Sequence, residues 1–190
     1  MHEPVAFSVF ATAIGDCALA WNDVGVFAVW LPEASATRLR ARIARRYPQA
    51  IEAAPEGSVA AAVAAITALL RGERTDLGPI RLDDSRLDPF DRRVYAAART
   101  IAPGRVVSYA ELAARVGADA SAREVGQSLG RNPFPIVVPC HRIVAASGEL
   151  GGFSAPGGTA TKRRLLTIED ARRDGDDDLF DPSVAGSASA

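Results

Sequence analysis

The sequence predicts an α+β protein in two parts: a small N-terminal α/β domain over residues 1–87 and a mostly helical C-terminal domain over 88–173. Three observations predict it. Residues 5–31 set alternating apolar positions between turn-forming Gly, Asn and Asp, the pattern of a β-meander. Two capping-box helix starts, Ser108 to Glu111 and Ser121 to Glu124, follow one another closely, as in a helix-turn-helix. A β-branched run, Ile136-Val137-Val138, reads as a short buried strand that Pro139 ends, with Cys140 and His141 directly behind it.

In chain order, Phe7, Val9 and Ala11 alternate along the first strand, and turns are expected at Gly15-Asp16 and Asn22 to Gly25. Cys17 falls in the middle strand as a structural thiol. Ser35 caps a helix to about Tyr47, with Leu39, Ile43 and Tyr47 on one face. Arg38, Arg42, Arg45 and Arg46 on the other face read as a solvated face and not as a nucleic-acid patch. Ser58 is expected to cap a second, nearly all-apolar helix from Val59 to Arg71, which should pack on the meander. Leu77 to Ser85 reads as a strand and linker. Asp88-Pro89-Phe90-Asp91 is a strong helix start, with Asp at the N-cap, Pro at the first helical position and an acid in the first turn. Phe90, Val94, Ala97 and Ile101 form its apolar stripe.

The second helix of the pair runs from Ala122 to about Arg131. Its Gly126, Ser128 and Gly130 are small and read as exposed, with Arg123 in the first turn. Helical glycines cost about 1 kcal/mol each against alanine, and close approach of a partner surface would repay that. Gly151 to Gly158 is a glycine-rich loop without the Lys-Ser/Thr ending of a phosphate loop, so it reads as a pocket wall. The last helix is expected from about Thr161 to Arg172.

Composition bounds the chemistry. The 190 residues suffice for one good core or two small ones. No apolar run reaches membrane-spanning length, and Met1 to Pro4 lacks the features of a secretion signal. With Cys17 far from Cys140 and His2 far from His141, neither a disulfide framework nor a metal site is expected. No cofactor is expected, and a reducing, cytoplasmic setting fits a free thiol. The net charge of −1 hides an asymmetry: residues 88–173 carry 13 Lys+Arg against 8 Asp+Glu, whereas residues 174–190 carry five acids and no base. The basic half permits nucleic-acid binding, and the acidic tail has too little apolar surface to fold.

A thiol beside an imidazole is either a small buried hydrophobe or a nucleophile that the neighbouring base activates. Glu169 lies near the C-terminal end of the last helix, four residues after Leu165 and three after Leu166. A carboxylate there is disfavoured by the helix dipole and needs a partner, and His141 is the obvious one. A Glu-His-Cys chain would have the logic of a triad, in which the acid orients the ring and the ring takes the thiol proton; the other reading of Glu169 is a frayed surface acid at the helix end.

Pro139-Cys140-His141-Arg142, with Arg131-Asn132-Pro133 and the helix that Ser121-Ala122-Arg123-Glu124 opens, resembles the O6-alkylguanine-DNA alkyltransferases, also called methylated-DNA–protein-cysteine methyltransferases. The resemblance covers residues 88–171. It implies a single-use protein that flips O6-alkylguanine out of duplex DNA and moves the alkyl group onto its own cysteine. O6-methylguanine is the main expected substrate, and O4-methylthymine a further one. It also implies a ribonuclease H-like N-terminal domain, a winged-helix-like helix-turn-helix and a monomer. By motif position, Cys140 is the acceptor, His141 its base through a water, and Glu169 the orienting acid. Asn132 braces the turn, and Tyr109 lies near the target phosphate and the leaving guanine. Arg123 is the finger that fills the gap in the stack. Ser121, Gly126, Ser128 and Arg131 are expected at the DNA. Pro135, Ile143, Phe153 and Ser154 are expected at the base pocket, where Phe153 replaces the family's common tyrosine and the loop after it is longer than in some members.

Two other readings compete. A lesion-binding or helix-turn-helix regulatory protein would share the fold without the transfer, but alkyltransferase-like binders have the acceptor cysteine replaced, and Cys140 is present. A cysteine hydrolase would need an oxyanion site and would turn over repeatedly.

Overall fold

The computed structural model describes residues 5–172, so the expectation of a disordered tail lies outside the described residues. The chain forms a mixed α+β structure. The meander is present as β1 (Ala6–Thr12), β2 (Gly15–Trp21) and β3 (Val26–Trp30), paired antiparallel in sequence. The first turn is Ala13-Ile14; Gly15 already pairs with Thr12 at φ 121°, a value that suits glycine. Gly25 is required for another reason. A Cβ there would stand 2.6 Å from the Arg81 carbonyl, which accepts the Val26 N–H.

Ser35 caps α1 (Ala36–Arg46) by accepting the Arg38 N–H, and Leu39 and Ile43 are its buried face. A two-residue strand that the sequence pattern did not reveal, β4 (Ile51–Glu52), adds parallel to β1, giving the order β3-β2-β1-β4. At two residues it is too short to show periodicity. The second helix, α2 (Gly57–Leu70), begins before the expected start, and its N-cap is Glu56 without a side-chain bond; Ser58 caps nothing. Ala62, Ile66, Leu69 and Leu70 form its buried side.

Leu77 to Ser85 is not a strand. Only Leu82 bridges to Val26, while the Asp76 and Asp83 carboxylates capture nearby backbone N–H groups in local turns. Arg99 takes the carbonyls of Leu77, Gly78 and Ile80, which a neighbouring strand would otherwise use.

Asp88 caps α3 (Pro89–Arg99) as expected, although its fully buried side is Asp91, Val94, Tyr95 and Ala98, rotated from the expected stripe. Both capping boxes form, on α4 (Tyr109–Val116) and α5 (Ala122–Gly130). A short β5 (Val107–Ser108) pairs parallel with β6 (Ile143–Val144). The final helix α6 is Gly158–Ile168, earlier at both ends than expected, with Glu169 as its C-cap.

The expected strand at Ile136–Val138 is also absent. Prolines at 133, 135 and 139 remove ladder donors, the Val138 N–H goes to Phe134, and its carbonyl goes to the Asn132 amide. Ile136 is held at φ 77°, a left-handed value that costs a β-branched residue about 1–3 kcal/mol. Its side chain is buried in the main core, which offsets that strain. One apolar cluster runs from Cys17 and Leu19 through α2 to Val94, Leu112, Val125 and Val138. No helix among the described residues is long and apolar enough to cross a membrane.

Candidate active site

Cys140 opens a single 3-10 turn, Cys140–Arg142, between the proline-rich turn and β6. It is half-buried and lines a cleft of about 520 Å3 together with Asn132, Pro135, Phe153 and Ser154. With Arg131, which lines it too, six of the site residues named from sequence thus meet in one cavity. The other cysteine, Cys17, is fully buried in the sheet, and burial pushes its thiol up to about 12.

Behind Cys140, the fully buried His141 ring approaches Glu169 Oε1 through Nε2 at 2.9 Å. Glu169 also takes two hydrogen bonds from Arg142, Nε to Oε2 and Nη2 to Oε1, both at 2.8 Å. The third bond of that guanidinium goes from Nη1 to the Ile101 carbonyl at 2.6 Å. Arg142 belongs to the four-residue motif but had no assigned role. A buried fork with a carboxylate is legible only once the fold brings residues 142 and 169 together. Gly104, at φ 80°, lies so close that a Cβ would stand 3.0 Å from the Glu169 carbonyl.

The electrostatics follow from burial and from this fork. Burial drives the Glu169 carboxyl upward, but His141 and Arg142 more than offset it and hold it down at about 2. Burial, helped by the charges of Arg142 and Lys162, lowers the His141 imidazole in spite of Glu169. A neutral ring beside an ionised carboxylate donates its Nε2 proton to it, and Nδ1 is then an acceptor. That Nδ1 has no partner among the described protein groups. Burial raises the Cys140 thiol, while the Asn132 side chain, the charge of Lys162 and nearby backbone N–H groups pull the other way. An acceptor for the thiol proton is therefore needed near neutral pH.

Lys162, on α6, was not singled out from sequence. It is fully buried, donates from Nζ to the Ile143 carbonyl at 2.5 Å, and stands 5.8 Å from the Tyr109 ring centroid. Burial brings it down to about 8. In sequence it stands beside Thr161, Arg163 and Arg164, a polar run that ordinarily marks a solvated helix face.

The remaining residues divide. Tyr109, at the start of α4, is half-buried beside Gly126 and Gly151 and does not line the cleft. Ile143 is buried too, and only its carbonyl faces Lys162. Asn132 spans its turn, donating to the Val138 carbonyl at 3.0 Å and accepting the Phe134 N–H at 2.8 Å. Arg123 is exposed on the first turn of α5. The Ser121 hydroxyl is occupied by the capping box with Glu124. Gly130 is open to solvent and Gly126 faces Tyr109. Ser128, expected on the exposed side, is fully buried, because Val125, Ser128 and Leu129 form the core-facing stripe of α5. Arg131 is exposed yet bound in a bidentate pair to the buried Asp91, with distances of 3.0 and 2.7 Å. The α1 arginines are exposed, as expected, and Arg42, Arg45 and Arg46 also line the cleft that contains Cys140. Among the described residues no cluster of His, Cys, Asp or Glu is arranged to hold a metal ion.

Comparison with known proteins places this geometry. Residues 89–171 match the family model described as 6-O-methylguanine DNA methyltransferase, DNA binding domain. A methylated-DNA–protein-cysteine methyltransferase of Mycobacterium tuberculosis is 42% identical over 125 residues, covering 66% of this chain and 73% of that protein. One from Methanothermobacter thermautotrophicus is 32% identical over 160 residues, covering 84% and 82%. A crystal structure of the Mycobacterium tuberculosis protein in complex with DNA matches with a TM-score of 0.70 at 32% identity, covering 87% of this chain and 92% of that one.

Proposed function

The chain belongs to the methylated-DNA–protein-cysteine methyltransferase family, and we infer that it repairs DNA by moving the alkyl group of O6-methylguanine onto one of its own cysteines. Its partner is double-stranded DNA that carries the lesion.

Cys140 is the acceptor in this reading. The observation that carries it is the buried His141, next in the chain to a half-buried thiol, fixed by Glu169 through Nε2 and left with an unpartnered Nδ1. His141 takes the Cys140 proton at Nδ1, through a water. The thiolate attacks the alkyl carbon, the S–C bond forms as the C–O6 bond breaks, and the electron pair leaves with guanine. Tyr109 is the expected donor of the proton that neutralises the guanine, and the proton taken up by His141 restores the phenol through solvent, so the net charge is unchanged. The thioether has no route back to thiolate, so each molecule acts once. Asn132 holds the turn that presents Cys140, and Pro135, Phe153 and Ser154 wall the base pocket.

The lesion atom lies inside the duplex, so the nucleotide must be extruded at a cost of a few kcal/mol. Arg123, exposed at the start of α5, offsets part of this by entering the vacated space. Ser121, Gly126 and Gly130 let the helix approach closely. Ser128 supports it from the core side, and Arg131 contributes charge from beside Asp91.

Residues 1–87 are taken as the N-terminal domain and 88–173 as the DNA-binding and acceptor domain. Three antiparallel strands, a helix and a strand parallel to β1 support a ribonuclease H-like plan for the first. The α4–α5 pair beside the β5–β6 ribbon supports a winged-helix-like plan for the second.

Titrating the protein with an O6-methylguanine duplex tests the reading. Transfer should stop at one methyl per chain. Turnover beyond one would favour a hydrolase, and DNA binding without transfer would favour a lesion-recognition protein.

A further inference from the structure

We propose that α1 supplies a second phosphate-binding wall, in which Arg45 and Arg46, with Arg42 beside them, hold the backbone of the lesion-bearing strand. The proposal rests on the DNA-repair reading above and assigns the N-terminal part a place in it.

The cleft that contains Cys140 is shared by both parts of the chain: Arg42, Arg45 and Arg46 line it together with Asn132, Pro135 and Cys140. Burying Leu39 and Ile43 against the sheet leaves these three arginines to border the opening. The last turn of a helix favours basic side chains, which accounts for Arg45 and Arg46 there but not for a shared cavity with the acceptor thiol. Their charge is only partly neutralised. Arg42 pairs with Glu33. Arg45 has no carboxylate partner among the described residues, and Arg46 stacks on the Tyr47 ring at 5.1 Å from its centroid, which aims the fork without cancelling its charge.

The basic line continues. An adjoining cavity of about 580 Å3 shares Arg46, Tyr47 and Arg131 with the first and adds Arg86. Asp83, also on its wall, takes the Asn22 amide at 2.8 Å and offsets part of the Arg86 charge, so the line rests chiefly on Arg45 and Arg46. The wall is fixed relative to the acceptor, because the Val29 N–H of β3 donates to the Pro133 carbonyl at 2.8 Å, just past α5. An extruded nucleotide brings its flanking phosphates with it, and guanidinium forks across a narrow cleft fit them.

The test uses full-length Cys140→Ser protein, so that no transfer intervenes, and binding of an O6-methylguanine duplex followed by fluorescence anisotropy across a KCl series. Adding Arg45→Ala and Arg46→Ala should weaken binding several-fold and reduce the slope of log K against log salt by about 1.8, or about 0.9 per lost phosphate. Arg45→Glu with Arg46→Glu should weaken it further. Arg38→Ala, on the same helix but outside the cleft, should leave the slope unchanged. An unchanged slope in the double alanine variant, or an equal loss in Arg38→Ala, overturns the proposal. Wild-type protein that takes up methyl while the double variant keeps its slope refutes this inference alone. Wild-type protein that takes up no methyl refutes the repair reading itself.

Discussion

At the scale of single residues, the site depends on one guanidinium. Arg142 satisfies both oxygens of a buried carboxylate and a main-chain carbonyl at once, a task that a lysine cannot perform with a single ammonium. Removing it leaves Glu169 charged in the interior. Arg142→Met should therefore destabilise the fold by about 3–5 kcal/mol in denaturant unfolding. It should also slow single-turnover transfer, because the carboxylate that orients His141 is then free to move. Lys162 gives a second prediction with a definite sign. Its folded value of about 8 lies below the ordinary 10.5, so between those limits the unfolded chain holds a proton that the folded chain lacks. Stability should thus rise from pH 8 to 10.5 through this group, by about 3 kcal/mol. Below pH 8 both states are protonated and the burial penalty is constant. Unfolding free energies measured across that window for wild type and Lys162→Met should differ by this rise, and parallel curves would show that Lys162 titrates normally.

At the scale of elements, helix ends were more legible than strands. Ser35, Asp88, Ser108 and Ser121 all cap where their local chemistry says they should, since a cap is decided within four residues. Ser58 failed because the chain entered α2 earlier, at Gly57. The β-branched run before Cys140 was read as a strand although three prolines starve it of donors, and Ile136 instead adopts a strained turn. The two-residue strands β4 and β6 depend wholly on distant partners, which local sequence does not show. For α5, the stripe was misplaced by one residue type: Ser128 is small because it is packed, whereas Gly130 is small and open. A methyl at Gly130 meets no protein atom within 4 Å. Gly130→Ala should therefore raise stability by about 0.5–1 kcal/mol in thermal unfolding and weaken duplex binding in the same protein. A gain in stability with undiminished binding would remove the close-approach explanation for that glycine.

At the scale of the molecule, the site is assembled from segments that no local reading joins. Cys140 comes from a turn, Glu169 from a helix end, Asn132 from the exit of α5, and the arginine wall from α1, more than ninety residues upstream of Cys140. The short Cys-His-Arg motif and Glu169 could be read from sequence because their chemistry is unusual for a core. Lys162 and the α1 arginines could not, because each looks ordinary until the fold sets it beside the thiol. The two cysteines complete the contrast: Cys17 is sealed in the sheet with its thiol held at about 12, and Cys140 stands at the cleft. Peptide mass spectrometry after incubation with an O6-methylguanine duplex distinguishes them most directly. The methyl group should be found on the Cys140 peptide, with Cys17 unmodified. Methyl on Cys17, or on neither cysteine after the lesion has been consumed, would contradict the account.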